Sequence, residues 1–188
     1  MRYLANLIMV ILTSVTILNA QTYVLDGTQS SLTWTGKAAF STYELSGTID
    51  ALRGEIIISP DGDMKDGYVL IDMLSLDADI DDLKKHLRGR DFFDVDNYQQ
   101  AKFELIEMIH GIDCCDGMMT IKDITNPFSP ELHLTRQEGQ VRITGTIMIN
   151  RTDYGITFNS PSYFEKLKDQ AIADEFKIVL SLLFRSEL

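Results

Sequence analysis

Cysteine is nearly absent from this 188-residue chain: there are two, Cys114 and Cys115, and they are neighbours. Adjacent cysteines rarely bond to each other, because the small ring they would close strains the disulfide. A chain without spaced cysteines is not a disulfide scaffold and must draw its stability from its core. No Cys-x-x-Cys spacing or paired histidine accompanies them, so nothing points to a metal site. Basic charge is scarce as well, with 17 Lys and Arg against 28 Asp and Glu, a net −11. That balance excludes a nucleic-acid binder, which needs a basic face, and argues against adsorption driven only by anionic headgroups. There is no Gly-x-Ser-x-Gly elbow to present a nucleophilic serine. The run Asp77-x-Asp79-x-Asp81 lacks the sixth-position glycine and closing Glu of a calcium loop. It reads instead as solvated charge at a helix start. No repeat, low-complexity tract or linker divides the chain, so residues 21–188 are expected to form one domain with a sizeable core.

What the chain does contain begins with a leader-like segment. Arg2 supplies a small positive region, Leu4 to Leu18 is almost wholly apolar, and Leu18-Asn19-Ala20 offers a small residue before Gln21. About 15 apolar residues are short for a span that needs ~20, and no basic cluster follows. Residues 1–20 are therefore expected to be a cleaved secretory signal, with a periplasmic or secreted destination. Arg2 is the one charge in that segment, so its loss leaves a net −12 on the mature domain.

The dominant period beyond Gln21 is two, which means strands. Leu32, Trp34, Gly36, Ala38 and Phe40 alternate with more polar residues. So do Val141, Ile143, Gly145, Ile147 and Ile149, and then Phe176, Ile178, Leu180, Leu182 and Phe184. Shorter strands are expected at 43–49, 55–58, 68–74, 103–108, 118–124 and 129–135, separated by turn sequences such as Pro60-Asp61-Gly62-Asp63. One helix is expected over Asp79–Arg88, with acidic residues early and basic residues late, as the helix dipole favours. A weaker one is expected over Ser162–Lys168. Many short strands with little helix call for a sandwich or a barrel, and periodicity does not separate the two.

A resemblance separates them. The run His86-Leu87-Arg88-Gly89-Arg90-Asp91-Phe92-Phe93-Asp94, followed by Tyr98-Gln99-Gln100-Ala101-Lys102-Phe103, resembles the signature segment of the YceI family. Tyr23-Val24-Leu25-Asp26 with Ser30-Ser31-Leu32-Thr33-Trp34 resembles that family's opening. Gly47-Thr48-Ile49, Gly54-Glu55-Ile56 and Asp72-Met73-Leu74-Ser75-Leu76 are similar to its next strands. Thr120 to Phe128 resembles its strand-turn-strand run, with Asp123 where the family usually has glycine, and Asn150-Arg151-Thr152-Asp153-Tyr154-Gly155 its Asn-Arg run. The resemblance implies an all-β, lipocalin-like antiparallel barrel of about eight strands with one or two short helices. It also implies non-catalytic binding of a polyisoprenoid-type lipid. An isoprenoid lipid or quinone-like molecule is then the expected ligand and partner, with no other cofactor and no metal.

The expected cavity residues are Trp34, Phe40, Ile71, Phe92, Phe93, Phe103, Phe128, Ile143, Ile147, Tyr154, Phe158 and Leu180. A barrel of about eight strands either fills with side chains or holds one small ligand, and Gly36, Ala38 and Gly145 leave room on the inward face. Phe92 and Phe93 are expected to gate or floor that space, one sealing the barrel end and the other packing on Leu83 and Leu87. His86, Arg88 and Arg151 are candidates for the cavity mouth or a polar headgroup, while the same arginines paired with Asp would only pin loops. Two readings compete with lipid binding. One is an enzyme for an apolar substrate using His86 with Asp91 or Arg151, which requires those side chains to converge. The other is an all-β interaction module with a filled core. The sequence leaves open whether the protein is a monomer or a homodimer.

Overall fold

A computed structural model of the protein describes residues 20–108, 114–167 and 170–187. Residues 1–19 of the expected leader, His110, and Lys168 at the end of the weaker helix candidate lie outside the described residues. The strands are β1 Gln21–Leu25, β2 Ser31–Lys37, β3 Glu44–Ile58, β4 Met64–Asp72, β5 Gln100–Met108, β6 Cys115–Ile121, β7 Ile124–Phe128, β8 Leu132–Gln137, β9 Gln140–Asn150 and β10 Glu175–Ser186. All pair antiparallel, in the order β7-β6-β5-β4-β3-β1-β10-β9-β8, with β2 also pairing with β3 and β10. The architecture is a barrel-like sheet.

β1 and β2 are two halves of one strand position. β1 lies along the last residues of β3 and β10, with Val24 facing Glu55 and Arg185. β2 lies along their first halves, with Trp34 facing Gly47 and Ile178. A short 3-10 turn at Gly27–Gln29 separates the halves, and Asp26 holds it. One Asp26 oxygen accepts from the Thr28 amide at 3.1 Å and hydroxyl at 2.6 Å, and the other from Arg185 Nε at 2.7 Å. Those bonds hold the Asp26 carboxyl below its ordinary pKa, the Thr28 hydroxyl first and Arg185 next. Ser30 Oγ donates to the Asp26 carbonyl and accepts from the Leu183 amide. The Asp and Ser of the opening motif are thus a knot that lets one strand position turn inward along the whole barrel.

The β6–β7 end of the sheet meets the β8–β9 end at a seam. The Cys115 amide donates to the Pro130 carbonyl at 3.2 Å, and Cys114 and Glu131 form an isolated bridge. Asn126 Nδ2 reaches the Asp153 carbonyl, and Arg136 Nη2 reaches Gly62 in the β3–β4 turn. Side chains and single bridges, rather than a continuous ladder, close the seam.

The structure departs from the periodic reading in five places, the last of them a turn. β3 is one 15-residue strand where two were expected, because a register shift between Ala51 and Arg53 re-phases its apolar face. The alternation from Leu32 does not extend to Phe40: β2 ends at Lys37, and Phe40 stands in the turn before β3, 71% exposed. The expected helix starts at Asp81 and forms α1, Asp81–Arg88, with Ile80 exposed as its first flanking residue. Residues 162–167 form turns and no helix.

Residues 118–124, read as one strand, are a hairpin of β6 and β7. Lys122 and Asp123 both have positive φ, 50° and 59°, which is the backbone of a tight two-residue turn matched to sheet twist. Glycine carries that conformation without steric cost, and aspartate does not. Asp123→Gly should therefore raise stability by ~0.5–1 kcal/mol, read as a higher urea midpoint. A lower midpoint would show that the Asp123 side chain has a role the turn geometry does not require.

Candidate binding cavity

The inward residues of the strands enclose an apolar cavity of about 350 Å³. Ligand pockets commonly span ~300–1,000 Å³. Phe176, Ile178, Leu180, Leu182 and Phe184 all face it from β10, so its lining extends ~27 Å along that strand at 3.4 Å per residue. The paired Met64 and Met108 and the fully buried Phe184 also line it. At one end, where β2 and β4 stop and β3 and β5 begin, Lys37, Tyr43, Gln170 and Glu175 belong to the lining. A ligand therefore meets polar groups at one end and hydrocarbon along the rest.

That upper end is partly covered by α1 and the turn after it. Leu83 and Leu87 point into the cavity from the helix. The chain then folds tightly: the Phe92 amide donates to Gly89, the Phe93 amide to Leu87, and Asp94 takes a positive φ of 49°. This irregular backbone lets two consecutive aromatics face the same cavity, which a regular strand forbids. Phe92 is buried among Phe93, Phe158 and the His86 ring, with ring centroids 5.1–6.1 Å apart. Phe93 is half-buried and meets Phe176 edge-on at 6.0 Å. Trp34 anchors the same end: its Nε1 donates to the Asp77 carbonyl at 2.9 Å, across Gly47. A Cβ on Gly47 would lie 1.9 Å from that carbonyl and 2.7 Å from the indole, so only glycine admits the contact.

Arg151 faces the cavity but is committed elsewhere. Its Nε, Nη1 and Nη2 donate to the carbonyls of Ala173, Ile156 and Ile172 at 2.8–3.0 Å. Its guanidinium lies 5.4 Å from the centre of the Phe92 ring and 3.6 Å from Asp174. Burial pulls its pKa down and Asp174 pulls it back up, and an arginine stays charged throughout. His86 differs: its ring lines the cavity between Phe92 and Phe158, and it makes no hydrogen bond among the described residues. Asp91 is exposed and bonds to neither of them. Among the described residues no three His, Cys, Asp or Glu side chains gather into a metal-binding group.

The YceI-like domain pattern matches residues 23–184, most of the chain. The chain belongs to the YceI-like family. No curated protein matches its sequence. Its fold is similar to that of Burkholderia cenocepacia BcnA, with a TM-score of 0.67 and 19% identity over 85% of this chain and 98% of that one. It is similar to a polyisoprenoid-binding domain from Saccharophagus degradans implicated in plant cell wall breakdown, at TM-score 0.65 and 15% identity over 89% and 99% of the two chains. A Campylobacter jejuni YceI protein matches at TM-score 0.56 and 16% identity, over 81% of this chain and 84% of its own.

In this YceI-like barrel, Trp34, Ile71, Phe92, Phe93, Phe103, Phe128, Ile143, Ile147 and Leu180 line the cavity, as do His86 and Arg151. Four expected residues do not. Phe40 lies beyond the end of β2 and points to solvent. Tyr154 follows the end of β9, in the 3-10 turn Arg151–Tyr154 capped by Asn150, and packs in the core outside the cavity. Phe158 backs His86 and Phe92 from behind. Arg88 turns away and donates to the Leu74 carbonyl at 2.9 Å, pinning the helix end. Gly145 leaves no room either, since Leu132 occupies the space of its missing Cβ. The periodic reading missed four methionines that line the cavity, Met64, Met73, Met108 and Met119. Flexible thioether chains adapt to irregular apolar ligands, and the signal was their placement at strand ends and on the inward phase.

The two cysteines are not equivalent. Cys114 is exposed, whereas Cys115 is buried in the core with its thiol 3.6 Å from the Pro130 carbonyl. Burial, then Cys114 and Asp116, push the Cys115 thiol up to about 12. The thiolate is the reactive form, so maleimide at neutral pH should add one label, on Cys114, and a second only in denaturant. Two labels on the native protein would show that the seam opens.

Proposed function

We propose that this protein binds a long-chain isoprenoid-type lipid, with a quinone-like headgroup as one form of it, inside the barrel and without chemistry on the ligand. The observation that carries this reading is the long apolar cavity, polar only at one end. Each buried CH₂ contributes roughly 0.8 kcal/mol, so ~10 buried carbons contribute about 8 kcal/mol, near micromolar affinity before ordering costs. The polyisoprenoid-binding neighbour from Saccharophagus degradans supports the ligand class. Asp91 stands apart from His86, and Arg151 is engaged by three carbonyls, which supports a binding role over a catalytic one. His86, open toward the cavity, is the group suited to meet a headgroup. The leader-like N-terminus supports export and a carrier role in the cell envelope, where apolar lipids must cross water.

Native mass spectrometry of protein purified from its own host, followed by organic extraction, tests the binding. One co-purifying apolar molecule per chain is the expected result. An empty protein that also takes up no fluorescent polyprenol from detergent would overturn it. N-terminal sequencing tests the export reading: it should begin at Gln21, and a retained Met1 would contradict it.

A further inference from the structure

Among the described residues, the large apolar side chains left exposed fall into two groups. The aliphatic ones, such as Leu52, Ile106, Met148 and Val179, are scattered along the strands, as is normal for a protein surface. The four aromatic ones, Phe40, Tyr43, Tyr163 and Phe164, are 50–71% exposed and belong to two segments bonded to each other at one end of the barrel. Phe40 and Tyr43 belong to the β2–β3 turn, closed by the Ala38 amide on the Tyr43 carbonyl. Tyr163 and Phe164 belong to the loop before β10. The two segments are tied by Ala39 donating to Ala171 and Ala173 donating to Lys37, and Ser162, next to Tyr163, donates its hydroxyl to Asp174, next to Ala173. This rim is the polar end of the cavity, where Lys37, Tyr43, Gln170 and Glu175 stand.

We propose that this aromatic rim is a docking surface for a zwitterionic lipid bilayer, through which the apolar ligand passes between membrane and cavity. The inference rests on the lipid-binding reading above and names the partner from which the cavity is filled. Three observations favour a bilayer over other occupants. The exposed rings include Tyr, whose amphipathic ring suits the headgroup boundary, and Phe, which suits the hydrocarbon below it. The rim carries Lys37 and Lys166 against Glu44, Glu165 and Glu175, one negative charge in excess on the rim of a chain that is otherwise strongly acidic. The acidic remainder repels anionic headgroups, so a neutral surface is the one the whole molecule can approach. Finally, the patch is continuous with the cavity mouth, so a ligand leaving the bilayer there need not cross water.

The test uses the full chain after leader removal and the double variant F40S/F164S, whose changed side chains are exposed and lie outside the cavity lining. Flotation with phosphatidylcholine vesicles containing no isoprenoid reads docking alone. Transfer of a fluorescent polyprenol from such vesicles reads entry, and equilibrium loading from detergent reads the cavity. The expected result is that the wild type floats regardless of salt, while the variant floats and accepts polyprenol from vesicles roughly tenfold less or worse. Both should load equally from detergent. A wild type that stays soluble with vesicles, or a variant that floats like it, overturns the proposal. So does a wild-type dimer that the variant converts to monomer without any flotation, since a second copy then covers the rim. Failure to load from detergent would instead count against the lipid-binding reading, because flotation is measured without ligand.

Discussion

Arg151→Met should lower the unfolding free energy by ~3–5 kcal/mol. The substitution keeps much of the volume but removes the donors for three carbonyls, those of Ala173, Ile156 and Ile172. It also leaves Asp174, a mostly buried carboxylate, without its cation at 3.6 Å. Arg151→Lys should not rescue the loss, because one ammonium cannot reproduce a planar fork aimed at separate carbonyls. A urea titration measures the effect, and a shift under 1 kcal/mol would show that water replaces the guanidinium freely. The pH dependence follows from Asp174. Burial pushes its carboxyl up, but the Ser160 and Ser162 hydroxyls and Arg151 outweigh burial and hold its pKa below the ordinary value. A depressed carboxylate stabilises the fold above its unfolded pKa of ~3.9 and loses that contribution as pH falls through the folded value. The wild type should therefore lose stability below about pH 4, and Arg151→Met should lose less over that acid range.

Phe92→Ala should be nearly as costly, at ~3–5 kcal/mol for a buried aromatic. Phe92 is 4% exposed and supports the His86, Phe93 and Phe158 rings and the Arg151 guanidinium at once. Phe93→Ala should behave differently, because Phe93 is half-buried and meets Phe176 at the top of the cavity. Its stability loss should be about 1–2 kcal/mol, while the off-rate of a bound polyprenol should rise well beyond that of the wild type. Measuring both variants separates plug from gate. Equal polyprenol off-rates in wild type and Phe93→Ala would remove the gating role.

These two residues show how sequence and structure divide the explanation. The adjacent aromatics stand out in the sequence as a gate or floor of the cavity. The hydrogen bonds from Phe92 to Gly89 and Phe93 to Leu87 that produce the irregular backbone there were not legible, since they depend on where α1 ends. Arg151 was legible as a noteworthy charge in an acidic chain. Its engagement by three carbonyls from two other segments was not, because those segments come together only through the pairing of β9 with β10.

By itself the sequence determined the strand-rich class, the family, the inward phase of β9 and β10, and the polarity of α1. Each of these follows from side-chain period, turn chemistry or a local motif, which act over a few residues. Many motif residues prove to be knots in the fold: Asp26 and Ser30 where β1 gives way to β2, Ser75 accepting from the Asp50 amide, and Asn150 capping the turn after β9. Only the tertiary structure decided where each strand stops, and so put Phe40 on the rim and Tyr154 in the core. It alone re-phased β3 through its register shift and brought four methionines onto the cavity wall. The physical reason is that strand ends, bulges and barrel closure are set by partners distant in sequence, and a period of two carries no record of them.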